Sequence, residues 1–344
     1  MRYLTLTAYP DDVTAAAWND CLDNSEFAGL YTSPEFFGEQ YFKNSGAFAI
    51  LAERDGEVHG VATGLLSRLE MSCGLSGSPQ VCIRRDTDTE AVGRALAAGI
   101  KNHGVRSTKF VSAFTWGEVS GFRSAGFRLK HFDAPLSTIL LDLSRGTDVL
   151  LSECHSARRV NIRRAIKAGV EVREMNVELE FDDYYALYSH WCEVKKLPCQ
   201  PYDVQRAVFT SKGNRLLLVA RHDGRMIGVS TFRYRRPGIM EYAANVSRQD
   251  ERKLKQNDLL IWRAVEWATQ QANIRYLSMA GAHTFLQRFG GQLHATYRYS
   301  LDLTTFRRRD LAESARAIAM RAYQALPDVA KSKIKKLLDR SNAD

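Results

Sequence analysis

The stretch RRVNIRRAIK at 158–167 packs five cations into ten residues. Wound as a helix, it sets Arg159 and Arg163 one turn apart on a face that Lys167 continues, and leaves Val160, Ile162 and Ala165 to pack. Such a ridge either clamps a phosphate or stands in water as a solvated helix face. A second basic stretch, with Lys253 and Lys255, runs directly into the apolar helical pattern NDLLIWRAVEWA. Asn257 is a good N-cap for that helix, and the unpaired N–H groups and dipole of a helix start favour an anion. His155 and His283 have no serine or cysteine at triad spacing. The six cysteines, at 21, 73, 82, 154, 192 and 199, contain no C-x-x-C pair, so no metal site is expected.

A scaffold must hold these residues, and the sequence carries one twice. FAILAERDGEVHGVATGLL (48–66) and RLLLVARHDGRMIGVSTFRY (215–234) both read as strand, Asp-Gly turn and second strand. Asp55-Gly56 answers Asp223-Gly224, and Gly60 answers Gly228. Further on, Arg94-Ala95 answers Arg263-Ala264 in an amphipathic helix, and Val105-Arg106 answers Ile274-Arg275 at the next strand. STILLDLS (137–144) then answers YRYSLDLTT (297–305), with Leu141-Asp142-Leu143 matching Leu301-Asp302-Leu303. This order predicts an α/β (α+β) fold, a duplicated mixed sheet flanked by helices, in two tandem domains. Gly146 marks the break, giving domains at 1–146 and 147–306, each expected to close its own sheet, and a tail at 307–344.

Composition agrees with a soluble globular chain: 344 residues, 45% hydrophobic and 25% charged. No apolar run approaches the roughly 20 residues that span a bilayer, and the N-terminus lacks a secretion-signal core. A cytoplasmic protein is expected. The net charge is +9, and from Arg307 onward ten Lys/Arg stand against five Asp/Glu, so the tail supplies +5 of it. DVAKSKIKKLLDR within that tail reads as a basic amphipathic helix. It suits either peripheral contact with an anionic membrane or a mobile solvated terminus.

The duplicated order of hairpin, strand, helix and strand resembles two GNAT-type acyltransferase domains in one chain. More narrowly, it resembles the Fem-type peptidoglycan-bridge aminoacyltransferases and the acetyltransferase-like proteins associated with polysaccharide synthesis. SARRVNIRRAIKAGVEV (156–172) is similar to the family's basic helix opening the second domain, and LKQNDLLIWRAVEWA (254–268) to the loop and helix after its central strand. HTFLQRFGG (283–291) is similar to its closing segment, although Leu286 stands where a lysine is usual. The likeness covers 150–305 well and 1–145 weakly.

This resemblance implies a donor pyrophosphate at the helix start, bound by Lys253, Lys255, Gln256, Asn257 and Asp258. It implies transfer of an acyl group from a thioester or ester to an amine. Proton transfer would then fall to the central strand GIMEYAANV (238–246), where alternation sends Glu241 and Tyr242 to opposite faces. Glu241 would take the amine proton through water, and a tyrosine hydroxyl would protonate the leaving thiolate. Arg159, Arg163, His283 and Arg288 are the expected substrate contacts. Acyl-CoA is the expected co-substrate, with no metal, and a phosphate-bearing glycan or lipid-linked precursor is the expected acceptor. Two alternatives stand beside it: aminoacyl-tRNA as donor, and a non-catalytic, membrane-associated binding module. The chain lacks the long helical-hairpin insertion that some bridge-forming enzymes are thought to use for tRNA.

Overall fold

Both repeated hairpins form in the computed structural model, which describes residues 1–68, 70–72, 79–130, 137–210 and 214–307 and five single positions further on. Ala47–Arg54 pairs with Glu57–Ser67, and Arg215–His222 pairs with Arg225–Tyr234. Asp-Gly suits these turns because both central residues need positive φ. Asp55 and Gly56 have φ of 55° and 87°, and Asp223 and Gly224 have 49° and 75°. Both hairpins slip register at the same point, after Ala52 and after Ala220. The second-strand glycines have a packing cause. A Cβ on Gly60 would lie 2.4 Å from Val92 Cγ1, and one on Gly228 would lie 3.2 Å from Leu260 Cδ1. Val92 and Leu260 belong to equivalent helices, Thr89–Asn102 and Gln256–Thr269, which the bare glycines let settle close on their sheets.

The result is the expected α/β duplication of two mixed sheets. The first runs Arg2–Leu6, Ala47–Arg54, Glu57–Ser67, then Glu70–Ser72 with Val81–Ile83 beside the same strands, then Ser107–Ala113, Tyr297–Asp302 and Arg128–Lys130. The second runs Gln292–His294, Thr138–Asp142, Ile274–Ser278, Gly238–Ser247, Arg225–Tyr234, Arg215–His222 and Glu171–Glu174. On the second sheet, Gln256–Thr269 and Ser156–Lys167 cover one face, while Val177–Lys195 and Tyr202–Thr210 cover the other.

The closing strands depart from expectation, because neither half closes its own sheet. Thr138–Asp142 pairs antiparallel with Ile274–Ser278 in the second sheet, and Tyr297–Asp302 pairs with Ser107–Ala113 in the first. The repeat survives this exchange. Asp142 Oδ1 accepts from Ser144 N at 3.1 Å, and Asp302 Oδ1 accepts from Thr304 N at 3.0 Å. A short alternating strand presents the same faces to either partner, so local pattern does not choose between them.

The first half also sends its 23–46 segment across the second sheet. Arg233 Nη1 donates to Tyr31 OH at 2.7 Å, Arg235 Nη2 donates to Asp23 Oδ1 at 2.6 Å, and Arg215 pairs with Glu39. Ile239 N donates to Ala28 O at 2.9 Å. Among the described residues no helix is long and apolar enough to cross a membrane. The basic helix expected within 307–344 lies outside the described residues.

Candidate active site

The second sheet opens beside its central strand. Gly238–Ser247 and Ile274–Ser278 run parallel, and their register extends only from the Gly238–Ile274 pair to the Glu241–Ser278 pair. Beyond Glu241 the longer strand continues to Ser247, held on its other side by Arg225–Tyr234. There Phe232 faces Tyr242 and Thr231 faces Ala244, so Ala243 is an extra residue, a β-bulge. A bulge turns a strand and re-aims its groups, and these devices cluster near active sites.

The far end of the open strand meets the start of the next helix. Asn257 Nδ2 donates to Ser247 Oγ at 3.1 Å, and Gln256 Nε2 donates to Arg248 O at 3.1 Å. This corrects the expected cap. The helix begins at Gln256 with Lys255 in the cap position, two residues before the expected cap, because Lys255 takes a left-handed φ of 60° after the Arg252–Leu254 turn and its carbonyl accepts from Asp258 N. No side chain caps this start, and Lys253 is exposed beside it.

Asp258 is buried in the first helical turn, where it forms an ion pair with Arg158 and accepts from Asn161 Nδ2 at 3.1 Å. Arg158 is only 8% exposed and also lies over the Phe285 ring, 4.4 Å from its centre. One guanidinium therefore joins three segments: the basic helix, the start of Gln256–Thr269 and the closing segment. Arg159 turns to the carbonyls of Ser152 and Cys154, ending the preceding short helix. Arg163 is exposed. His283 is exposed, stacks on Phe285 at 6.1 Å, and is the residue before the Thr284–Gln287 helix. Arg288 is exposed, and its carbonyl accepts from His155 N at 2.9 Å.

Glu241 and Tyr242 do face opposite ways. Tyr242 packs on Phe232 at 5.3 Å on the side covered by Gln256–Thr269, and burial raises its phenol above the usual range. Glu241 is 0% exposed and points toward the first half, where a Cβ on Gly29 would stand 3.1 Å from its Oε2. Its ladder partner is Arg233.

A cavity of about 420 Å³ lies over the bulged strand, between the two halves. Its floor is Ala243, Ala244, Asn245 and Val246. Tyr184, Tyr188 and Trp191 wall it from the Val177–Lys195 helix, and Tyr31, Tyr41 and Phe42 wall it from the first half. Arg215 and Arg233 also line it. Burial pushes the Tyr188 phenol up to about 12 and raises those of Tyr41 and Tyr184. Tyr41 and Tyr184 donate to Gln205 Oε1 at 3.3 and 3.4 Å, and Tyr188 OH accepts from Gln200 N at 3.1 Å.

No protein-family model matches the sequence, and no curated protein is detectably similar to it in sequence. Solved structures share its architecture. A protein described as FemX is 13% identical and superposes with a TM-score of 0.66, over 88% of this chain and 98% of its own. The C-terminal domain of a putative lysylphosphatidylglycerol synthetase from Agrobacterium fabrum is 11% identical, with a TM-score of 0.57 over 88% and 95%. A tandem GNAT protein from the clavulanic acid biosynthesis pathway is 14% identical, with a TM-score of 0.55 over 87% and 97%.

The chain has a tandem GNAT fold. Within that fold it is similar to the Fem-type FemX, as the sequence resemblance implied. Sequence reasoning missed the aromatic cavity of this tandem GNAT fold and the role of Arg158. The cavity's signal was the Tyr184, Tyr188, Trp191 series, spaced by four and three residues on one helix. Arg158 gave no separate signal, since its four cationic neighbours on the same helix read alike.

Proposed function

We propose that this protein is an N-acyltransferase that moves an acyl group from acyl-CoA to an amine of a cell-envelope or polysaccharide precursor. The observation that carries the reading is the parting of Gly238–Ser247 from Ile274–Ser278 beside a helix start with no side-chain cap. A thioester donor fits that gap with its diphosphate on the N–H groups of Gln256 and Asn257 and on Lys253 and Lys255. Gln256 and Asn257 hold the strand end against the helix start through their side chains, and Asp258 fixes the helix through Arg158. The amine nitrogen attacks the thioester carbonyl, the new C–N bond forms as the C–S bond breaks, and the proton lost by the amine ends on the CoA thiolate.

In this scheme Tyr242 supports the strand from the core, and Glu241 reaches the cavity only through Arg233, as a positioning charge. Arg163, His283 and Arg288 are exposed and, on this reading, are the cations offered to a phosphate-bearing glycan or lipid-linked acceptor, while Arg159 holds the preceding helix. The basic tail would add peripheral contact with the membrane holding such a precursor.

Calorimetric titration of the full chain with CoA tests the donor. One site is expected, weakened about tenfold in a Lys253→Ala/Lys255→Gly double variant, since a charge-assisted phosphate contact contributes about 1.4 kcal/mol or more. Absence of CoA binding would reject the reading. A second donor, aminoacyl-tRNA, is favoured by the exposed row of Arg163, Arg164 and Lys167. It predicts co-purifying RNA and an affinity that falls steeply with salt.

A further inference from the structure

The cavity over the bulged strand differs from what acetyl transfer requires. An acetyl group displaces about two waters, or about 60 Å³ at about 30 Å³ each. The space here is about 420 Å³, whereas a fitted ligand has most of its surface in contact with its site. Its walls are rings in mutual contact: Tyr184 stacks on Tyr188 at 5.9 Å and 11°, and meets Phe209 at 4.4 Å. Trp191 and Phe42 extend the same apolar surface.

Charge is present but balanced. The Arg215 and Glu39 side chains, 9% and 2% exposed, pair with each other. Arg233 donates to Tyr31 OH and faces Glu241 across the ladder. Two arginines thus stand with two carboxylates, so the site offers little to a second charge that must lose its water. Position supplies the last element. The floor is the stretch from Ala243 to Val246, between the strand end that touches the helix start and the point where the parallel pair joins. A donor anchored by its phosphates at the helix start and running along this strand brings its acyl end under the aromatic walls.

We infer that the group transferred is bulky, uncharged and apolar, an aromatic or medium-chain acyl group and not acetyl. This inference rests on the acyl-CoA reading above, and titration of the full chain separates the two. Calorimetry with CoA, acetyl-CoA, succinyl-CoA, octanoyl-CoA and benzoyl-CoA is expected to show octanoyl- or benzoyl-CoA binding at least tenfold more tightly than acetyl-CoA, with succinyl-CoA weaker still. In Trp191→Ala that preference should shrink at least threefold while CoA itself binds as before. Equal affinities across the panel, or tightest binding of succinyl-CoA, with CoA still bound, would overturn the inference alone. Absence of binding by every CoA compound would overturn the donor reading, and this inference with it. The wild-type panel decides even where the variant does not fold.

Discussion

The helix after the hairpin begins differently in the two halves. In the first, Asp88 closes Thr89–Asn102, its Oδ1 accepting from Ala91 N and Glu90 N at 3.0 Å each. The bond from Ala91, helped by that from Glu90, holds the Asp88 carboxyl below its usual range, and Glu90 adds a second negative charge in the first turn. In the second, Gln256–Thr269 begins from left-handed Lys255 with no side-chain cap, and Arg158 has already taken the charge of Asp258. One start is filled by the protein's own anion, while the other faces a basic loop. Duplication kept the scaffold in both halves, and a few residues at the cap set which half suits a phosphate.

The largest effect should come from the lock between Arg158 and Asp258 in the second half. Asp258→Ala would leave Arg158 buried without its partner and is expected to cost about 3–5 kcal/mol, read as a lower midpoint in urea. Glu90→Ala, at the matching helix of the first half, removes an exposed pair with Arg94 and should cost less than about 1 kcal/mol. Similar costs would break the comparison.

The seam between the halves gives the next effect. His294 is buried among Phe27, Phe114 and Trp116, and burial lowers its pKa from 6.5 to about 4. The unfolded chain therefore takes up the proton first as pH falls, so stability is full above about 6.5 and declines toward 4. The expected loss is about 3 kcal/mol. His294→Phe should flatten denaturation midpoints across that window, and an unchanged slope would assign the loss to other groups.

Opening the first helix start is a smaller test. Asp88→Ala should cost about 1 kcal/mol, with CoA affinity and stoichiometry unchanged by calorimetry. A second CoA site in this variant would sharpen the comparison, showing that Asp88 alone closes the first half to anions. The smallest effect is expected at Lys255→Gly, where removing a side chain from a left-handed residue should be neutral or stabilising by less than about 1 kcal/mol. A clear loss of stability there would mean that the Lys255 side chain holds the helix start.

The duplication was legible because its signals are local. Asp-Gly turns, glycines under helices and apolar periodicity follow from φ, close approach and burial of one face, which neighbouring residues dictate. The basic helix appeared at Ser156–Lys167 for the same reason. The helix cap was misplaced by two residues because Asn257 has the right chemistry for a cap, and only the left-handed Lys255 reveals where the helix begins. Arg158 was hidden among equals. Burial against Asp258 and Phe285 separates it from Arg159 and Arg163, and burial is a property of the packed chain.

The sequence by itself determined the repeated unit, its strands and helices, and the concentration of cations near the second helix start, since each depends on residues close along the chain. The tertiary structure alone decided the exchange of Thr138–Asp142 for Tyr297–Asp302, because two short alternating strands fit either sheet until long-range pairing selects one. It alone formed the aromatic cavity, whose walls come from chain segments as far apart as Tyr31 and Val246. It also turned Glu241 inward against Gly29, a contact that exists only once the first half lies across the second sheet.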